Sequence, residues 1–211
     1  MSAGCVLVLA AACAQPPKEV RQVTDGRDVE LETQVMLLQS PFGDGPHLRE
    51  REAAARWLLE HADRAYPRLL AMARAGTGPA VVELLPAFDR VDSVAVLEEL
   101  LGGPERVAWV AGRALARQRG PEALAALRRG AQLSDPEAAV AAVDGLATRG
   151  DRAGCPELAK AAEREDARVR YHAVQAAATL GCLSPAALAA LAHDDPDAEV
   201  RALAARLLAA K

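Results

Sequence analysis

Asp166-Ala-Arg-Val-Arg-Tyr-His-Ala-Val174 returns 31 residues later as Asp197-Ala-Glu-Val-Arg-Ala-Leu-Ala-Ala205. In both copies an acid suited to capping a helix stands three residues before a valine, and small residues follow. Reading outward from this pair, one apolar column runs through Leu58, Phe88, Leu115, Leu146, Ala177 and Leu208. Its separations are 30, 27, 31, 31 and 31 residues. Four residues earlier stand Ala54, Leu84, Ala111, Ala142, Ala173 and Ala204, and four earlier again Glu50, Ala80, Val107, Ala138, Val169 and Val200. Three columns spaced by four lie along one helical stripe, so each unit opens with a helix that buries the same face. Only Glu50, in the outermost unit, breaks the apolar pattern.

Turn signals and a second apolar pattern separate these first helices. Arg119-Gly120-Pro121, Gly150-Asp151 and Gly181-Cys182 end them, and Ser184-Pro185 is an N-cap followed by proline at the first helical position. Second helices then carry Leu69 and Leu70, Leu97 and Leu100, Leu124 and Leu127, Leu158 and Ala161, and Leu188 and Leu191. A period near 31 with two helices per unit describes hairpins that cannot bury their faces alone and must stack. The fold class is all-α, an α-solenoid of about five and a half hairpins over residues 46–211.

The two quoted segments resemble the HEAT repeat in its short bacterial form, Asp-x-x-Val-Arg followed by paired small residues, Leu and Gly. The last two units match closely. Glu105–Ser134 and Asp135–Glu165 keep the spacing without the Val-Arg pair, and Pro46–Gly76 and Thr77–Pro104 match in outline, with Pro86 a departure inside the second opening helix. The resemblance implies HEAT-like hairpins whose second helices line a concave binding surface.

Composition agrees with a helical, globular chain. Apolar residues make up 51% of it, largely Ala and Leu, while β-branched and aromatic residues are few. Net charge is −4, yet residues 46–211 hold 22 basic and 23 acidic side chains. A near-neutral body with two Trp, two Tyr and two Phe lacks the electrostatic footprint of a nucleic-acid binder, so no nucleic-acid partner is expected.

Residues 1–14 read as an export leader, and residues 15–45 as a linker with a short amphipathic helix from Val29 to Leu38. Val6–Ala12 is too short to span a bilayer but suits a secretory core. Leu9-Ala-Ala-Ala-Cys13 resembles a bacterial lipobox, which makes Cys13 the expected lipidation site. Ala12-Cys13-Ala14 fits a cleavage site instead, and the absence of a basic residue before the run keeps a cytoplasmic chain open. The expected location is the cell envelope, tethered by a lipid and facing periplasm or exterior. Cys155 and Cys182 remain as a pair at matching turns of adjacent repeats, either disulfide-bonded or two buried small hydrophobes.

Catalytic signatures are absent. His47, His61, His172 and His193 form no His-Glu-x-x-His, no Cys-x-x-Cys occurs, and no nucleophile motif or phosphate-binding glycine loop is present. The His-Glu pairs by which deoxyhypusine hydroxylases hold iron are missing, since Leu48, Ala62, Ala173 and Asp194 follow the histidines. No metal, no cofactor and no enzymatic activity are therefore expected, with a HEAT-like enzyme of the bilin-lyase kind or a structural envelope protein as the alternatives. The expected function is a scaffold for a protein or peptide partner, held by Arg68, Glu98, Glu99, Arg128, Arg129, Lys160 and Arg164 on the second helices. Asp166 and Asp197 each stand four residues before an arginine, Arg170 and Arg201, and are expected to pair within the helix or between repeats. Trp57 and Trp109 are expected to pack against neighbouring repeats rather than anchor a partner.

Overall fold

A computed structural model describes residues 26–40 and 46–210 of the chain. They form twelve α-helices, and no strand occurs among them. The first helices are α2 (Pro46–Glu60), α4 (Pro79–Leu84), α6 (Glu105–Arg117), α8 (Pro136–Arg149), α10 (Ala167–Thr179) and α12 (Ala198–Ala209). Between them lie the second helices α3 (Ala62–Arg74), α5 (Asp92–Leu101), α7 (Pro121–Gly130), α9 (Cys155–Ala161) and α11 (Pro185–Asp194). One more helix, α1 (Gly26–Leu38), precedes them. The leader and Cys13 lie outside the described residues.

The sequence columns are the core. Leu58, Leu115, Leu146, Ala111, Ala142, Ala173, Val169 and Val200 are all fully buried. Glu50 is exposed on the outer flank, and Phe88 and Leu84 are half-buried where repeat two departs from the pattern. There Pro86 cannot donate to the helical ladder, so α4 stops at Leu84 and the chain continues as a 3₁₀ turn, Leu85–Phe88. Ala162 and Leu183 touch both the main core and a smaller cluster around Leu188, Val200 and Leu203, which joins the last hairpin to the rest.

Helix α1 belongs to the same core. Leu31, Val35 and Leu38 are buried against α2, in the way each second helix packs on the first helix that follows it. The core thus begins ahead of the boundary that the repeat spacing draws at residue 46.

Local chemistry sets the helix starts in the C-terminal half. Asp135 accepts from the Ala138 amide at 2.9 Å, Asp166 from Arg168 and Val169 at 2.9 and 3.1 Å, and Asp197 from Glu199 and Val200 at 2.8 and 3.1 Å. Ser184 does the same for Ala187 at 3.1 Å. Each such cap is worth about 1 kcal/mol. Gly150 and Gly181 end α8 and α10 at φ 66° and 72°, a left-handed conformation that glycine adopts without a steric penalty.

From α4 onward each first helix packs directly on the next; among the second helices α3, α5 and α7 pack in sequence, while α7, α9 and α11 have at most marginal contact with one another. At the centre of the first-helix row, a Cβ on Gly112 of α6 would sit 2.8 Å from both the backbone oxygen and the Cβ of Ala141 on α8. Gly145 of α8 comes equally close to Leu127 and lies near the Gly112 carbonyl. Small residues let these backbones approach.

Candidate functional site

The charged row expected to face a partner on the second helices is largely engaged within the chain. Arg68 of α3 grips Glu32 of α1 through both carboxylate oxygens, at 2.6 and 3.0 Å, and Arg129 of α7 grips Glu98 of α5 at 2.6 and 2.8 Å. Arg128 donates twice, at 2.7 Å each, to Asp151, whose carboxylate is buried in the next turn. Arg164 donates to the carbonyls of Leu133 and Ser134 at 2.6 and 2.8 Å. Only Glu99 and Lys160 remain exposed without such a bond. The row is thus a ladder of bidentate ties between neighbouring hairpins. Reversing Arg128 to glutamate leaves the buried Asp151 without its partner, and should cost about 2 kcal/mol of stability rather than act on binding alone.

The matched arginines are structural as well. Arg170 is buried and forks onto Asp195 at 2.9 and 3.0 Å, while its remaining nitrogen donates to the carbonyls of Arg164 and Glu165. Asp195 also accepts from the Asp197 amide at 2.8 Å. Burial alone would raise the Asp195 carboxyl, but the guanidinium and the amide outweigh it and hold it below the usual carboxylate range. The acidic turn His193–Asp197 is therefore an inter-repeat joint. Arg201 plays a lighter version of the part, donating to the carbonyls of Asp195 and Pro196. Arg170 reaches the turn at the end of α11 that leads into the next repeat, and does not fork onto Asp166.

Cys155, at the start of α9, and Cys182, in the turn after α10, are joined as a disulfide. Their Cα atoms lie 5.6 Å apart, closer than the spacing of adjacent repeats suggests, and Cys182 directly follows the left-handed Gly181.

The face with unspent chemistry lies on the first helices. A furrow between α6 and α8, continuing to α10, is lined by Glu105, Arg106, Trp109, Glu137, Val140, Arg168 and His172. Its lower half runs past Arg113, Arg117, Ala141, Asp144 and Thr148. Trp109 stands between the two halves and is 43% exposed, so it does not pack fully against a neighbouring repeat as expected. Trp57 is half-buried beside the main core and stacked on His61 of its own hairpin with ring centres 4.0 Å apart. The floor beside Trp109 is made of small or apolar buried residues, Ala116, Val140, Ala141 and Gly145. At about 320 Å³ the upper half takes one or two side chains and sits at the low end for a small-molecule pocket.

The acids along the α8 edge are already used. Glu137 is paired with Arg168, and Asp144 bonds His172 Nδ1 at 2.9 Å, which raises the imidazole above its ordinary value despite partial burial. Sequence reasoning missed this face because the eye follows the buried stripe. The signal was a second stripe, Arg106, Trp109, Arg113 and Arg117, stepping by three or four along the opposite flank of α6.

No group of three or more His, Cys, Asp or Glu among the described residues is placed to hold a metal ion, and no described helix is long and apolar enough to cross a membrane. In comparison with known proteins, a family model for HEAT repeats matches residues 129–209. No curated protein sequence matches the chain. Among solved structures, human deoxyhypusine hydroxylase in complex with glycerol is similar at 18% identity, over 87% of this chain and 97% of that one, with a TM-score of 0.42. That structure is an enzyme, so the exclusion of enzymatic activity drawn from the sequence is withdrawn; so distant a likeness assigns no activity in its place. What the chain is, over its described residues, is an α-solenoid of HEAT-like helical hairpins, a helical-repeat scaffold.

Proposed function

We propose that this scaffold captures a protein partner along the furrow between the first helices α6 and α8. The observation that carries the reading is Trp109, a large aromatic left 43% exposed beside a floor of small buried residues. Aromatic side chains set in well-packed surroundings are the usual energetic centres of protein interfaces. The second helices serve the scaffold, since their ion pairs hold one hairpin to the next. A photo-crosslinking residue placed at Trp109 should trap a partner that the same residue at Ala190, on the exposed face of α11, does not. Equal trapping at both positions would sink the assignment.

The same proposal places the chain at the cell envelope, tethered through Cys13. Support comes from the apolar run Val6–Ala12, the lipobox-like Leu9-Ala-Ala-Ala-Cys13 and the Cys155–Cys182 disulfide, a bond that persists in oxidising compartments. Intact-mass measurement of the protein from membranes should find a diacylglyceryl group on Cys13. An unmodified full-length chain in the soluble fraction would overturn this part.

A further inference from the structure

Charges along the furrow are unequally spent, and the imbalance has a side. On the α8 edge the two acids are occupied from α10: Glu137 by Arg168, and Asp144 by His172. On the α6 edge three arginines stand in line. Arg106 has no partner among the described residues. Arg113 reaches Glu83 of α4 only at 3.8 Å, with 63% of its side chain exposed, and Arg117 makes one long bond, 3.4 Å, to the Glu83 carbonyl. Exposed pairs of that length contribute little and are readily exchanged for a better anion. Glu105, the remaining acid at the mouth, is exposed and makes no close ion pair among the described residues, so three arginines face one unspent acid there. From Arg106 to Arg117 the helix advances about 16 Å, the length of five residues of an extended chain.

We propose that the occupant is an acidic peptide segment of the partner, which seats one apolar side chain on Trp109 and sets its carboxylates against Arg106, Arg113 and Arg117. The proposal rests on the furrow being the capture site and adds the chemistry of what it captures. Arginine presents a planar fork that matches a carboxylate, so the three guanidinium groups select acid over any neutral chain. Apolar contact with Trp109 supplies the anchor, and the carboxylates supply register and discrimination against basic segments, which the same arginines repel.

The test uses the full chain carrying Trp57→Phe, so that Trp109 is the sole tryptophan and its emission reports on the furrow. Three synthetic peptides are titrated, each a central Leu flanked by either Glu, Ser or Lys. The Glu peptide should bind at least tenfold more tightly than the Lys peptide, and added salt should narrow the gap. In an Arg106→Glu, Arg113→Glu double variant with unchanged melting temperature the order should invert. Lys160→Glu, on exposed α9 outside the furrow, should leave it unchanged. Equal binding of all three peptides, or preference for Lys, would overturn the acidic specificity while leaving the furrow as a capture site. If no peptide moves Trp109 emission, the furrow is not a capture site and both readings fall. Emission that changes with protein concentration alone would mean that a second copy covers the furrow, which also overturns the proposal.

Discussion

The two halves of the stack solve the same packing problem by different means. In the C-terminal half, α8, α10, α11 and α12 each begin with a side-chain cap, and Arg170, Asp195 and the Cys155–Cys182 bond tie one hairpin to the next. From α3 to α7 no helix start has a side-chain cap. There the joints rest on larger side chains: Tyr66 donates to Asp92 at 2.6 Å, leans on Phe88 and lies under Arg90, while buried Ser93 and Gln118 share the Arg90 carbonyl. The position that Arg170 fills in its repeat is Ala108 in α6 and Ala139 in α8. Regular repeats let one polar device recur, whereas irregular ones need bespoke packing. The regular half also contains the residues that match HEAT repeats, 129–209.

If the C-terminal half depends on its clamps, removing the deepest one should hurt most. Arg170→Leu strands Asp195 in the interior and should destabilise the protein by about 3–5 kcal/mol in chemical denaturation. Because Asp195 is held below its ordinary value, the wild-type clamp is fully present above the normal carboxylate range and is lost as pH falls through the folded value. The variant should therefore show a flatter acid limb. A loss below 1 kcal/mol would mean that the clamp adds nothing to the smaller core.

Next in size is the disulfide. For a sequence separation of 27, reduction or Cys155→Ser should cost roughly 3–4 kcal/mol. Amide exchange should rise in α9 to α11 and stay constant in α3 to α5; a uniform rise would erase the distinction between the halves. A smaller effect is expected from Asp166→Ala, which removes a cap worth about 1 kcal/mol. The reciprocal change, Pro104→Asp at the uncapped start of α6, should stabilise by a comparable amount. If it does not, missing caps are not what separates the halves.

The smallest effect is at His172. Its folded value is raised, chiefly by the hydrogen bond its ring donates to Asp144, so its contribution is complete below the ordinary histidine value of 6.5 and fades as pH rises through the folded one. An NMR titration should place its midpoint above 6.5, and His172→Gln should abolish this part of the pH dependence of stability. A midpoint at or below 6.5 would mean that Asp144 is free to meet a ligand.

Much of the architecture was legible in the residues. The columns ending at Leu146, Ala177 and Leu208 set the register, Pro86 marked the broken helix, and Asp166, Ser184 and Asp197 marked helix starts, because stripes and caps depend on neighbours within one turn. The candidate site was not legible. Arg68, Arg128 and Arg129 look alike in sequence to Arg106 and Arg113, yet the first three fork onto acids from 23 to 36 residues away, whereas Arg113 meets Glu83 only at 3.8 Å and Arg106 meets none among the described residues. The close approach of Gly112 and Ala141 across two helices, which sets α6 against α8 beneath the furrow, is likewise a contact between repeats. Sequence alone therefore determined that this chain stacks helical hairpins, since that follows from local periodicity. Only the tertiary structure decided which face is left to bind, because exposure and charge pairing are settled by residues that meet across repeats.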